Sequence, residues 1–150
     1  MPRESNDIQR LLHIVEYCRK IKTVFDVFQN NHDCFLRNEN YPPRDLCCFY
    51  ILQIGELSSG LSEDFKNNHN EIPWRSIKGM RNIVAHKYGT IDLETVWEVL
   101  TEDIPRLDKQ CRAIVLAWDS DFTKLTPSER ARLEQSEKDL PEEQTKEESE

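Results

Sequence analysis

The sequence predicts an all-α protein, and three observations predict it. Apolar residues recur at helical spacing in three long stretches. No stretch alternates apolar and polar residues as a half-buried strand does. The stretches are bounded by residues that start and stop helices. Of 150 residues 37 % are hydrophobic, enough for a helical core, and the length suits one domain.

Ser5 or Asn6 suits the cap of a first helix, along which Ile8, Leu11, Leu12, Val15, Cys18, Ile21, Phe25 and Phe28 keep helical spacing, with a break expected near Lys22. Asn30 to Pro43, rich in Asn, Asp and Pro, reads as a loop. A long second helix begins near Pro43 or Arg44, its apolar stripe marked by Leu46, Phe49, Tyr50, Ile54, Leu57, Leu61 and Phe65. Gly55 interrupts it at a cost of about 1 kcal/mol against Ala, which points to a neighbouring helix packed closely there.

The third helix occupies Ile72 to Gly89. Pro73 suits its first turn, where a missing N–H has no intrahelical partner, and Gly89 suits the left-handed position that ends it, leaving about four turns between. Asp92 can cap a fourth helix, along which Leu93, Trp97, Leu100, Ile104, Leu107, Cys111, Ile114 and Trp118 follow in steps of four and three. That is the 3.5-residue period of a bundle seam, so both tryptophans read as packing residues. Pro105 must kink or restart this helix, with Asp103 placed to cap the restart. Thr126-Pro-Ser-Glu opens one more short helix, and from Glu137 the composition is polar and acidic, the signature of disorder. The organisation expected is a domain over residues 1–126 followed by an acidic tail over 127–150.

Charge separates these two parts. Residues 1–128 carry 19 acidic and 16 basic side chains and residues 129–150 carry 9 and 4, so the tail supplies −5 of the net −8. The start has no apolar signal region, and the longest apolar run, Leu46 to Leu52, is far too short to span a bilayer, so the expectation is a soluble, cytoplasmic protein without membrane contact. Cys18, Cys34, Cys47, Cys48 and Cys111 are odd in number and lack C-x-x-C spacing; they read as reduced thiols, those on helices acting as small hydrophobes. His32-x-Cys34 is the nearest approach to a metal pair and lacks two further ligands, so neither metal nor cofactor is expected.

The third helix carries the chemistry. Arg75, Lys78, Arg81 and Lys87 face no acidic residue between Ile72 and Ile91, and a cationic strip in an acidic protein asks for an anion. Arg81-Asn82-x-x-x-His86-x-Tyr88 sets a permanent cation, an amide, an imidazole and a phenol within two turns, the functional groups of phosphoryl transfer. Asn82 lies four residues before His86 and can orient the ring or hold a substrate oxygen, while Arg81, roughly 140° round the helix from His86, must reach round to share its cleft. As ordinary surface groups, Arg81 and His86 would need no such role, His86 being favoured near the helix C-terminus by the macrodipole. Glu56 reads equally as a solvated helix acid or as a carboxylate near this site.

The run Ile72-Pro-Trp-Arg-x-Ile-x-Gly-Met-Arg-Asn-Ile-Val-Ala-His-x-Tyr-Gly-x-Ile-Asp-Leu-x-x-x-Trp, with Glu102-Asp103-Ile104-Pro105 after it and Ile51-Leu-Gln-Ile-Gly-Glu56 before it, closely resembles the HepT-like toxins of the HEPN superfamily. The similarity covers roughly Asp7 to Trp118. It implies an antiparallel bundle of four to five helices that forms a homodimer. It further implies a metal-independent endoribonuclease site where the two motif helices meet, and a nucleotidyltransferase-fold antitoxin of the MntA type as partner in a type VII-like toxin–antitoxin system. Arg81 and His86 match the family's catalytic pair, Asn82 its adjacent polar position, and Tyr88 the tyrosine that such antitoxins modify with AMP. Lys87 departs from the acidic or neutral residue expected there, which bears on substrate preference. The tail after Thr126 has no counterpart in the resemblance.

The mechanism that joins these readings has His86 drawing a proton from a ribose 2′-hydroxyl, which attacks the adjacent phosphate while Arg81 stabilises the developing charge and a second His86 in the dimer protonates the leaving oxygen. Arg75, Lys78 and Lys87 would carry the flanking RNA. A rival of a different class is a non-catalytic helical dimer that binds RNA or nucleotide, or docks a nucleotidyltransferase, through the same strip. For Tyr88 the alternative to AMPylation is a ring packed under the helix terminus with its hydroxyl on a carbonyl.

Overall fold

The computed structural model describes the backbone of residues 3–85 and 92–138 and the side chains of 6–84 and 92–134. Among the described residues every regular element is helical: α1 (Arg3–Phe25), α2 (His32–Leu36), α3 (Tyr41–Ser59), α4 (Glu63–Asn68), α5 (Trp74–Ala85), α6 (Leu93–Glu98), α7 (Ile104–Trp118) and α8 (Pro127–Lys138), with single 3-10 turns at Asp26–Phe28 and Asn38–Asn40. Helix α1 packs against α3 and α7, and α3 packs in turn against α5, giving an all-α bundle.

The core runs along the predicted stripes with local corrections. Leu11, Ile14 and Phe28 are sealed from solvent, as are Ile54 on α3 and Cys111 and Val115 on α7. Truncating one such aliphatic side chain to Ala costs roughly 2–5 kcal/mol. Helix α1 starts at Arg3, before the expected caps Ser5 and Asn6, and runs through Lys22 unbroken. The stretch read as a loop, Asn30 to Pro43, holds α2, capped by Asn31 whose side chain accepts from the Cys34 N–H. It folds because Phe35 drops fully into the core against Phe28 and Trp97, and because buried Arg44 donates to the carbonyls of Phe35 and Arg37, both at 2.6 Å. Apolar anchoring and paired carbonyls outweigh the local preference of Asn and Asp for turns.

The long second helix divides. Helix α3 ends at Ser59, Leu61 lies in the turn that follows, and Phe65 belongs to the next element, whose cap Ser62 accepts from the Phe65 N–H. Buried Asp7 of α1 accepts from both the N–H and the hydroxyl of Ser62, at 2.9 and 2.6 Å, tying the start of α1 to the start of α4. Within α3 the buried face is Cys47, Cys48, Ile51, Ile54, Gly55 and Ser58, so Leu46 and Phe49, expected in the stripe, stand 40 % and 50 % exposed.

Asp92 caps α6 as expected, accepting from the N–H groups of Glu94 and Thr95 and from the Thr95 hydroxyl. The helix restarts at Pro105 as expected, the proline standing in the first turn of α7. The preceding turn, Val99–Asp103, is π-helical, with the Ile104 N–H reaching the Val99 carbonyl, and this wider turn accommodates the proline in the first turn of α7. Asp103 stays in helical conformation and makes no side-chain cap bond. Thr126 opens α8 through a reciprocal pair: its hydroxyl accepts from the Glu129 N–H while the Glu129 carboxylate accepts from the Thr126 N–H.

Candidate functional site

Helix α5 is held from one side and open on the other. Ile77 and Met80 are buried, and so is Ile72 just before the helix. Its start is fixed by Trp74, whose indole N–H donates to the His69 carbonyl at 3.0 Å and whose ring packs against Phe65. On the other side Arg75, Lys78 and Asn82 are exposed. At about 100° per residue these three and Gly79 fall within roughly 100° of arc, so they form one outward face.

Arg81 lies between the held and the open sides, at the seam with α3. A Cβ placed on Gly55 would come within 2.9 Å of the Arg81 Cβ, so the close approach expected at Gly55 is an approach of α5, made at Arg81. The absent side chain lets the Arg81 stem lie directly on α3. From there the guanidinium reaches Glu56, Nη1 to Oε1 3.0 Å, with the two side chains 41 % and 57 % exposed. A pair this open adds little to stability, yet it aims the guanidinium along the seam. One guanidinium nitrogen engaged by one carboxylate oxygen leaves the rest of the five-donor fork to face an incoming anion. Between Trp74 and Ala85 no residue is acidic, so Glu56 brings from α3 the counter-charge that α5 lacks.

The structure thus brings together Arg81 and Glu56, places Asn82, Arg75 and Lys78 on the adjoining open face, and describes α5 as far as Ala85. His86, Lys87 and Tyr88 lie outside the described residues, as does the expected end of the helix at Gly89. Leu46 and Phe49 are exposed beside this edge, Phe49 standing seven residues and nearly two turns before Glu56 and hence on the same side of α3. Sequence periodicity had placed both in the buried stripe, because the buried cysteines Cys47 and Cys48 occupy the core positions that larger apolar residues would have marked.

Other reactive groups are engaged elsewhere. All five cysteines are free thiols. Burial pushes the Cys47 thiol up to about 12, with Cys48 beside it adding to the effect, and burial also pushes Cys48 to about 11, with Asp45 adding to the effect. Cys18 and Cys111 are raised as well, again mainly by burial, and none of these four is a nucleophile near neutral pH. His32 sits 2.8 Å from Glu94 and edge-on to Trp97, while the Cys34 sulfur faces the Asn40 amide, so this pair serves packing. Among the described residues no group of three His, Cys, Asp or Glu could hold a metal ion, and no helix is long and apolar enough to cross a membrane.

Comparison with known proteins places the chain in a family. Residues 14–114 match the HepT-like family, described as Ribonuclease HepT-like. A protein of Caldanaerobacter subterraneus named "Putative RNase" is 36 % identical over 62 residues, 41 % of this chain and 55 % of that one. A protein of Thermococcus cleftensis named "Probable ribonuclease HepT" is 44 % identical over 54 residues, 36 % of this chain and 49 % of that one. A third, from Methanocaldococcus jannaschii and also named "Putative RNase", is 27 % identical over 117 residues, 77 % of this chain and 91 % of that one. The chain thus spans about half the length of the first two of these relatives. No solved structure matches.

Proposed function

Because the chain belongs to the HepT-like ribonuclease family, we propose that it is the cytoplasmic toxin of a type VII-like toxin–antitoxin system, a metal-independent endoribonuclease. The observation that carries this reading is Arg81, held on Gly55 and paired in the open with Glu56 at the edge of a helix whose outer face is cationic. An RNA phosphate displaces or shares the Glu56 contact and takes the free donors of the guanidinium. His86 removes the proton from the 2′-hydroxyl, the oxygen attacks phosphorus, and the 5′-oxygen leaves with a proton, giving a 2′,3′-cyclic phosphate. Asn82 orients the imidazole or a substrate oxygen. Arg75, Lys78 and Lys87 neutralise flanking phosphates.

The second His86, needed to protonate the leaving oxygen, comes from a second copy in a symmetric homodimer. Exposed Leu46 and Phe49, on the same side of α3 as Glu56, support that assembly, since apolar side chains of this size gain by being covered. Residues 1–126 form the catalytic unit in this reading, with 127–150 an appendage. A nucleotidyltransferase-fold antitoxin silences the site by AMPylating Tyr88, which sets a negative phosphodiester and a base beside the phosphate-binding arginine.

The purified protein is expected to cleave RNA in the presence of EDTA, and Arg81→Ala or His86→Ala to lower turnover on the order of 10²-fold or more at unchanged melting temperature. Cleavage that requires added magnesium, or full turnover in either variant, overturns the proposal. After co-expression with the antitoxin and ATP, mass spectrometry should find AMP on Tyr88, absent from Tyr88→Phe.

A further inference from the structure

A groove of about 910 Å³ runs between the start of α1, α4 and the second half of α7, and none of Gly55, Glu56, Arg81 or Asn82 lines it. Its apolar surface comes from Ile8, Phe65, Ile114 and Trp118. Ala113 and Ala117, one turn apart on α7 and both exposed, line it with side chains that stop at Cβ. Small residues at that spacing let another helix approach to the short end of the usual 8–10 Å between axes. The lining stretch of α7 from Gln110 to Trp118 rises about 12 Å, room for a little over two turns of a partner.

The charge on this groove has one sign. Asp7, Asp64 and Glu71 line it with no Lys or Arg among the lining residues; the one group that turns cationic on protonation is His69, whose Nδ1 lies 3.6 Å from Glu71 Oε1. Asp7 is hydrogen-bonded to Ser62, but Asp64 and Glu71 are exposed on the rim. An apolar floor between acidic edges is the complement of an amphipathic helix that carries Lys or Arg beside its apolar face.

The chain itself does not supply that helix. Residues 139–150 carry Asp139, Glu142, Glu143, Glu147, Glu148 and Glu150 against Lys146 alone. The exposed apolar pair Leu46 and Phe49 of a second copy is flanked by Asp45 and Glu56, acid against acid. We propose that the groove docks a basic amphipathic helix of a partner protein, independently of the nuclease reading of the Arg81 edge.

The test uses a stapled peptide of about 14 residues with Leu and Phe on one face and Lys along its flanks, together with a twin in which Glu replaces every Lys. The methyl signals of Ala113 and Ala117 are followed by NMR. The Lys peptide is expected to shift both methyls and the Glu twin neither. Asp64→Lys with Glu71→Lys should weaken binding of the Lys peptide at least ~10-fold, about 1.4 kcal/mol, whereas the same charge change at Glu98 and Glu102, both exposed, should change it far less. Ala117→Arg, at an exposed position that leaves the fold intact, should abolish it. Equal binding of the Glu twin, equal loss in the Glu98 and Glu102 variant, or retained binding in Ala117→Arg overturns the proposal. So does movement of the two methyls on deleting residues 139–150 without peptide, which would give the groove to the tail.

Discussion

Two arginines in this molecule pair with carboxylates at almost the same distance and do opposite things. Arg81 meets Glu56 at 3.0 Å with the side chains 41 % and 57 % exposed; Arg130 meets Asp119 at 3.3 Å with 17 % and 1 % exposed. At Arg130 every group is satisfied: Asp119 also accepts from the N–H groups of Lys124 and Leu125, the guanidinium donates to the Asp119 carbonyl at 2.7 Å, and its plane lies 3.9 Å from the Phe122 ring. These contacts hold Phe122 at φ 61°, a left-handed conformation that a bulky residue adopts only when its surroundings impose it. They also seat α8, whose Leu133 is buried and whose Leu133 carbonyl accepts from fully buried Arg112. Arg81 meets Glu56 where both side chains stand open to solvent. The difference teaches which arginine is available: a solvated pair exchanges its carboxylate for a phosphate at little cost, and a desolvated, saturated one does not.

The contrast is sharpest at Leu133→Ala, expected to destabilise the protein by about 2–5 kcal/mol through the cavity it leaves, read as a lower denaturant midpoint with RNA turnover per folded molecule unchanged. A loss of turnover at constant stability would mean that α8 acts on the Arg81 edge after all. Gly55→Val comes next. Its new carbons meet the Arg81 stem, so about 1–3 kcal/mol of overpacking is expected, together with a fall in turnover larger than in Leu133→Ala at matched stability. Val at 55 without effect on either would show that the contact yields freely.

The smallest effect belongs to the open pair. Glu56→Gln should change stability by less than about 1 kcal/mol, and its readout is the KM for RNA, which should fall as the competing carboxylate is removed. A rise in KM would make Glu56 a substrate contact. Acid titration sets the buried pair against it. Burial by itself would raise the Asp119 carboxyl, but the Lys124 and Leu125 amides and the Arg130 guanidinium hold it below its ordinary value. The folded state therefore prefers the ionised form; this contribution is present above about pH 4, the ordinary carboxylate value, and is lost as pH falls through the lower folded one. Asp119→Asn should melt lower at neutral pH and show a shallower loss of stability below about pH 4 than the parent chain, which differential calorimetry across that range measures.

What the sequence determined by itself was local: helix content and period, the cap at Asp92, the short helix opening at Thr126, the cationic strip on α5, and a glycine that called for a close neighbour. Each follows from residues within a turn or two of one another, where 3.6-residue geometry leaves few choices. Tertiary structure alone decided the rest. It folded the Asn-rich stretch after α1 around Phe35 and Arg44, turned Leu46 and Phe49 outward, set a π turn ahead of Pro105, and chose which helix fills the notch at Gly55. It also joined Glu56 to Arg81, 25 residues on in the chain, and set three acids from α1, α4 and the turn after it along one groove. The physical reason is shared. Burial rewards whichever face meets a partner, and a charge takes its meaning from the neighbours that packing brings within a few ångströms, so neither can be read from a helix considered alone.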